Sequence, residues 1–256
     1  MITALFHSLL FAQAASAAVS LEQARLDVCL QRARRDPTTA MSEANAWLGE
    51  ANGAEASYPQ QCLGYVYTLL LRWEAAERAF LAAREGELDT NVLRRAQLAA
   101  MAGNAALADG RADAALLALA LAADDAAATG DAVLQSLVET DRARALVMQG
   151  DQGAAEPRLA NARTLDPQNA LAWLLSATLA RRLGKLGEAQ GFIETAIALA
   201  PGDPETGLEA GVISMLAGRE EAASSSWRAV IATDPNGEAA ATARGYLAQL
   251  AEPPAE

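Results

Sequence analysis

Residues 166–201 read DPQNALAWLLSATLARRLGKLGEAQGFIETAIALAP, and the pattern of this stretch recurs in the flanking sequence. The Asp-Pro at positions 166 and 167 returns as Ala-Pro at 200 and 201, and again as Asp-Pro at 234 and 235, with a period of 34 residues. Glycine recurs with the same period at positions 150, 184 and 218. A fixed period of this length is the sequence signature of a repeat protein, in which each repeat is one small unit of secondary structure.

Each repeat also carries a triplet of apolar residues at helical spacing. In the quoted stretch Ala189 is followed by Ile193 and then by Ala196, which places the three side chains on one face of a helix. The triplet occurs five more times, at Ala44/Leu48/Ala51, Ala76/Phe80/Ala83, Ala115/Leu119/Ala122, Ala155/Leu159/Ala162 and Ala223/Trp227/Val230. Six triplets predict six helix pairs, with the triplet in the second helix of each pair.

A small residue stands twelve positions before the first alanine of the triplet in five of the repeats: Gly64, Gly103, Ala143, Ala177 and Gly211. We expect this residue to let the first helix of a pair approach the second helix closely. The first repeat has no small residue at this place, so its register has the weakest support.

These positions resemble the tetratricopeptide repeat (TPR) family, most clearly in Leu63-Gly64-x-x-Tyr67 followed by Ala76, Phe80 and Ala83, and in Trp173 opening the unit that ends at Pro201. The resemblance covers roughly residues 24–250 and implies an all-α fold, a right-handed α-α superhelix or TPR-like solenoid. We expect a solenoid over 20–250, with helix pairs at about 20–52, 57–85, 90–128, 132–166, 170–200 and 204–234, a cap helix at 238–250 and a disordered tail at 251–256.

The middle of the array is stretched, because successive triplets are 32, 39, 40, 34 and 34 residues apart. The additional residues lie around 85–91 and 126–131. We expect them to lengthen helices or loops of the third unit.

Composition restricts the function. The net charge of −12 and the pI near 4.6 argue against nucleic acid or an anionic membrane surface as a partner.

His7 is the only histidine, and it lies within residues 1–18, which have the pattern of a signal peptide that is cleaved from the mature protein. Without a histidine, Ser-His-Asp and Cys-His catalysis and the usual zinc sites cannot be assembled. The sequence also contains no phosphate-binding G-x-x-x-x-G-K-[ST] motif. We therefore expect no cofactor and no enzyme, and an enzyme that uses only carboxylates is the remaining catalytic alternative.

The N-terminus has the pattern of a secretory signal. An apolar stretch from Ile2 to Ala14 is followed by small residues up to Ala18, and both 12–14 and 16–18 fit a signal-peptidase site. The n-region lacks lysine and arginine. Residues 1–18 are predicted to be a signal peptide and the protein periplasmic, with no membrane insertion after cleavage. The alternative is a first helix packed on the solenoid of a cytoplasmic protein.

Cys29 and Cys62 are the only cysteines, and each lies in the first helix of its pair and precedes a leucine. We interpret them as matching positions of adjacent repeats, which lie side by side when repeats stack. Because exported proteins meet an oxidising compartment, we predict a disulfide between them. Two buried, reduced thiols are the alternative.

In this family the ligand usually lies along the inner wall formed by the first helices. Aligning the last three repeats places eight candidate groove residues on that wall: Asp141, Arg144, Met148, Thr178, Arg181, Arg182, Glu209 and Met215. The three arginines could pair with a carboxylate or an acidic peptide, and the methionines offer adaptable apolar contact. Alternatively, the two acidic residues neutralise the arginines within the scaffold. The lysine and asparagine of the family's carboxylate clamp are absent from these sites.

The resemblance implies a scaffold that binds a protein or peptide in its concave groove, within the bacterial cell envelope. A second hypothesis is an accessory factor of envelope protein maturation, similar to the TPR domains of cytochrome c biogenesis proteins. Repeats of this family serve unrelated complexes, so the partner is not defined by the fold.

Overall fold

The computed structural model describes residues 21–251, and this part of the chain is helical throughout, without a β-strand. The predicted signal peptide at 1–18 and the tail at 252–256 lie outside the described residues. The helices, numbered in chain order, are α1 (21–33), α2 (Pro37–Glu50), α3 (Ser57–Leu69), α4 (Trp73–Gly86), α5 (Val92–Ala108), α6 (Ala112–Thr129), α7 (Ala132–Gln149), α8 (Gln152–Leu165), α9 (Ala170–Arg182), α10 (Leu186–Leu199), α11 (Pro204–Leu216), α12 (Glu220–Thr233) and α13 (Glu238–Ala251). A 3₁₀ turn at Gly53–Ala56 precedes α3.

These helices form six pairs followed by one closing helix, so the predicted fold class is confirmed. The outer face of α13 carries exposed polar residues such as Thr242, Arg244 and Gln249. Its inner face packs on α12, where the rings of Trp227 and Tyr246 lie 4.9 Å apart.

Local sequence signals account for the ends of the helices. Asp36 caps α2 by accepting a hydrogen bond from the backbone N–H of Thr39, and Pro37 follows at the first helical position. The turn between the two helices of a pair requires a left-handed residue, and Gly184 fills that place in the fifth pair with φ of 75°. The same place in the second pair is held by Leu71, whose φ is 55°.

The chain divides into two compact units. The first comprises the described residues 21–131 together with Arg144–Gln149, and the second comprises Ala132–Ala143 together with the described residues from Gly150 onward. The first unit has apolar cores around Trp47, Phe80 and Leu119. The second has cores around Ile193 and Trp227.

In the first pair the predicted register of the second helix is wrong. Every other second helix begins three residues before its first triplet alanine, and α2 begins three residues before Ala40 rather than before Ala44. The buried residues of α2 are Ala40, Ala44 and Trp47, whereas Leu48 is only half-buried and Ala51 lies beyond the helix. The second helix of the first pair therefore begins four residues earlier than the triplet predicted, and Trp47 fills the core in place of the predicted Leu48.

The extra residues of the middle repeats are found mainly in longer helices. Helices α5, α6 and α7 contain 17, 18 and 18 residues, whereas α8 to α13 contain 13 or 14. The loop after α4 contributes Glu87, a buried carboxylate that accepts hydrogen bonds from Ser57 Oγ at 3.2 Å and from Arg94 Nε at 2.5 Å. The loop is therefore fixed by a buried ion pair.

Candidate functional site

The second unit places the first helices α9 and α11 next to each other, and a forked ion pair joins them. Arg181 Nε donates to Glu209 Oε1 at 2.5 Å, and a second guanidinium nitrogen donates to Oε2 at 3.1 Å. The two side chains are only 22% and 12% exposed. A planar guanidinium bound to both oxygens of a carboxylate is a geometrically defined contact, so this pair fixes the spacing of the two helices.

Helices α9 and α11 also carry exposed side chains, which include one cation and several apolar groups. Arg182 is exposed and forms no ion pair with any residue of the described chain, while Thr178 is half-buried. Leu171, Met215 and Leu216 are 43%, 38% and 55% exposed. We call this surface of α9 and α11, with the Arg181–Glu209 pair, the first-helix wall.

The remaining candidate residues belong to α7, which contributes to both units. In the first unit Arg144 donates to the Oδ1 atom of Asn104 at 3.2 Å, and Met148 is 46% exposed. In the second unit Asp141 is half-buried. A single cluster of Arg144 with the two arginines of α9 stays a prediction.

The geometry of Arg181 supports the alternative in which an acidic residue of the scaffold neutralises the arginine. Its guanidinium is already bound to Glu209, so an anionic ligand would have to displace that carboxylate to reach it. Arg182 is therefore the cation of the first-helix wall that a ligand can reach directly.

Cys29 and Cys62 lie at disulfide geometry in the first unit, with their Cα atoms 6.2 Å apart. This separation falls within the range that a disulfide spans without backbone movement. Their positions are not strictly equivalent, however. Cys62 lies eleven residues before its second helix begins at Trp73, and Cys29 lies eight residues before Pro37. The offset of nearly one helical turn keeps the two side chains on the same face.

Sequence reasoning missed a cluster around Arg163 in the second unit. Its guanidinium lies 5.1 Å from the ring centroid of Trp173 and 4.3 Å from that of Phe192, and it also contacts the hydroxyl of Ser176. Burial lowers the pKa of Arg163, and the negative charges of Glu156 and Glu188 oppose that shift. Trp173 and Phe192, two aromatic residues in a chain with only 5% aromatic residues, were the signal that could have led to the cluster.

In residues 21–251, no set of three or more histidine, cysteine, aspartate or glutamate side chains converges into a possible metal site. Over the same range no helix combines the length and the apolar character needed to cross a membrane.

Comparison with known proteins agrees with the repeat architecture. Residues 146–205 match the family model of the tetratricopeptide repeat. No curated protein matches the sequence significantly.

Solved structures share the fold at low sequence identity. PilF of Pseudomonas aeruginosa is 14% identical with a TM-score of 0.65, over 89% of this chain and 99% of that one. PilW, described as a type IV pilus biogenesis factor, is 16% identical with a TM-score of 0.68, over 87% and 97%. YrrB, a TPR protein with an unusual peptide-binding site, is 18% identical with a TM-score of 0.51, over 74% and 92%. The family match at 146–205, together with the helix pairs of the described residues, shows that the chain contains tetratricopeptide repeats.

Proposed function

We propose that the protein is a non-catalytic scaffold of the bacterial cell envelope that binds a polypeptide segment along the first-helix wall. The observation that carries this proposal is the forked Arg181–Glu209 pair, which joins adjacent first helices that also carry the exposed apolar side chains of Leu171, Met215 and Leu216. Apolar side chains that are grouped on a surface and surrounded by polar residues mark protein interaction sites.

The side chains of the wall define the class of ligand. Leu171, Met215 and Leu216 supply apolar contact, and Arg182 supplies a positive charge. A matching segment has apolar side chains and one carboxylate that reaches Arg182. Because Arg181 is already bound to Glu209, the carboxylate of the ligand pairs with Arg182 alone.

The similar structures support a polypeptide as the ligand. YrrB is described as having a peptide-binding site, and PilW acts in the biogenesis of a type IV pilus. Identities of 18% and 16% relate the folds, and the extension of a polypeptide ligand to this chain is part of the proposal.

Location in the envelope is supported by two independent features. The sequence of residues 1–18 has the pattern of a signal peptide. The geometry of Cys29 and Cys62 suits a disulfide, and disulfides persist in the periplasm but are rare in the cytosol.

Photocrosslinking in cells of the source organism tests the binding surface. A photoreactive amino acid at Thr178 or Met215, on the first-helix wall, is expected to give one defined adduct that mass spectrometry identifies as a polypeptide. The matched control places the same group at Ser225, which is exposed on α12. Equal adducts from the wall positions and from Ser225 would reject the wall as the binding surface.

Changing Arg182 to alanine then tests the predicted charge. The adduct at Thr178 should decrease several-fold, because the segment loses the partner of its carboxylate. Replacing Arg228, an exposed arginine of α12, is the control and should leave the adduct unchanged.

The N-terminal sequence of the purified protein tests the location. A mature chain that begins after residue 14 or residue 18 is expected. A chain that begins at Met1 or Ile2 and fractionates with the cytosol would contradict export.

A further inference from the structure

The junction of the fifth and sixth pairs contains a cavity of about 170 Å³ within the second unit. The end of α10, the first half of α11 and one face of α12 surround it. Its lining is mostly apolar or small, and includes Ile197, Gly207, Ala210, Ser226 and Val230. None of these residues belongs to the first-helix wall.

The preceding repeat shows what fills the equivalent space. One period of 34 residues before Gly207, Ser226 and Ile197 stand Trp173, Phe192 and Arg163. There the two ring centroids lie 5.9 Å apart, and the guanidinium stacks on both rings. The fifth pair therefore fills part of this place with its own aromatic side chains, and a smaller cavity of about 100 Å³ remains beside Arg163, Ser176 and Phe192.

The sixth pair carries smaller side chains at all three places and keeps a larger cavity, although Val230 fills the space directly beside Gly207, where an added Cβ would lie 2.5 Å from its methyl group. Glycine replaces the tryptophan, serine the phenylalanine and isoleucine the arginine, while Ile197 remains 42% exposed. A dry apolar cavity of about 150 Å³ is large enough for benzene, whereas pockets for drug-sized molecules measure about 300 to 1,000 Å³. The volume therefore suits a single aromatic side chain.

The surroundings of the cavity are acidic. A second cavity of about 210 Å³ adjoins it and shares Pro204 and Val230. Lysine and arginine are absent from both linings, which contain four carboxylates: Asp203, Glu205, Asp234 and Glu238. Asp203 is used as a cap, since it accepts hydrogen bonds from the N–H and the hydroxyl of Thr206. Glu205, Asp234 and Glu238 line the adjoining cavity, where Asp234 also accepts a hydrogen bond from the backbone N–H of Asn236 at 3.3 Å. Together the three give this side of the pocket a negative field that favours a cationic neighbour.

We propose that this cavity, which we call the α11–α12 pocket, receives an aromatic side chain of a protein partner in which basic residues flank the aromatic one. The pocket is a second contact point, and its occupation is independent of ligand binding to the first-helix wall. The aromatic ring supplies buried area, and the flanking basic residues supply charge complementarity to Glu205, Asp234 and Glu238.

Three capped tripeptides serve as probes: Lys-Trp-Lys, Glu-Trp-Glu and Lys-Ala-Lys, each acetylated and amidated. The protein with isotope-labelled isoleucine and valine methyl groups is titrated with each, and the NMR shifts of Ile197 and Val230 are followed. Lys-Trp-Lys should give saturable shifts at these two residues. Glu-Trp-Glu should bind at least about fivefold more weakly because of the acidic rim, and Lys-Ala-Lys should give no saturable shift. Absence of saturation with Lys-Trp-Lys, or equal affinity for the two tryptophan peptides, overturns the proposal.

Filling the pocket from within provides the structural control. Ser226→Phe restores the ring that Phe192 supplies one repeat earlier, and should weaken Lys-Trp-Lys binding by about tenfold or more. Ser225→Phe adds the same ring one position earlier, where the side chain is exposed, and should leave the affinity unchanged. Ala229→Phe, at an exposed position of the lining, serves as a second blocking variant if Ser226→Phe does not fold.

Equal affinity of the blocking variant and Ser225→Phe would contradict the assignment. The test is also separate from that of the wall, because blocking the pocket leaves the side chains of α9 unchanged. Loss of Lys-Trp-Lys binding with unaltered crosslinking at Thr178 is the expected combination.

Discussion

A Cβ atom on Gly64 would lie 2.6 Å from the ring of Phe80, so α3 and α4 approach each other through the place of a missing side chain. The third pair has the same arrangement, where a Cβ on Gly103 would lie 2.5 Å from Leu119. In the second and third pairs the glycine twelve positions before the triplet is thus a packing requirement.

Gly64→Ala should lower the free energy of unfolding by about 1 to 3 kcal/mol, because the added methyl group overpacks the core against the ring. Urea denaturation followed by circular dichroism measures the change. Gly191→Ala is the matched control, since Gly191 lies inside α10 with no atom within 4 Å of the new methyl group. That control should be neutral or stabilising by up to about 1 kcal/mol. Equal effects of the two substitutions would contradict the packing argument.

Leu71 adopts a left-handed conformation at the place where four other pairs have glycine. Leu71→Gly should raise the free energy of unfolding by about 0.5 to 1 kcal/mol, since relief of the backbone strain exceeds the entropic cost of glycine. The reciprocal change Gly184→Leu, at the equivalent turn of the fifth pair, should destabilise by about 0.5 to 1 kcal/mol, since the same two terms act with opposite signs. Thermal and urea unfolding of both variants check the signs, and two changes of the same sign would refute the argument.

The predicted Cys29–Cys62 disulfide would close a loop with a sequence separation of 33. Replacing both cysteines with serine should lower the free energy of unfolding by about 3 to 4 kcal/mol in the chain-entropy model. The variant should match the reduced wild-type protein, which is its control. Thiol titration of the denatured, unreduced wild-type protein should find no free thiol, and two titratable thiols would show that the bond is absent.

Glu87 and Arg94 form an ion pair in which the side chains are 4% and 12% exposed. Arg94→Met should cost about 3 to 5 kcal/mol, because it leaves a buried carboxylate without its partner. The double variant Glu87→Gln/Arg94→Met should recover part of that loss. Glu74→Gln removes the exposed pair with Arg78 as a control and should cost less than about 0.5 kcal/mol. A loss of similar size in both single variants would mean that burial does not determine the energy of these pairs.

The pKa of Asp36 is lowered from its ordinary value of 3.8, first by the hydroxyl of Thr39 and then by the backbone N–H of the same residue. Because the folded pKa lies below the unfolded one, the cap contributes stability above the unfolded pKa. This contribution is lost as the pH falls through the folded pKa. Asp36→Asn keeps a capping oxygen without the charge, so its stability should fall less than that of the wild type between pH 4 and pH 2. Parallel acid titrations by circular dichroism make the comparison, and superimposable curves would contradict it.

The sequence predicted those parts of the fold that depend on periodic small and apolar residues. The triplets and the glycines define the helix pairs because close packing restricts the residues allowed at these places. The register of the first repeat was predicted wrongly, because its large core residue, Trp47, lies seven residues after the first buried alanine and not four. A template that assumes one spacing cannot detect such a substitution.

The polar contacts were harder to predict. Whether Arg181 pairs with Glu209 or with an external ligand depends on the distance between α9 and α11. The periodicity of the sequence does not define that distance. Burial of Glu87 depends on the path of an irregular loop. The α11–α12 pocket, in contrast, could have been found by comparing Trp173 with Gly207 one period later.

The pairing of Cys29 with Cys62 also has a consequence for the length of the array. If either of the first two pairs were deleted, the other cysteine would lose its partner and could form mixed disulfides with other proteins in an oxidising compartment. The first two pairs therefore depend on each other in a way that the other described repeats, which contain no cysteine, do not.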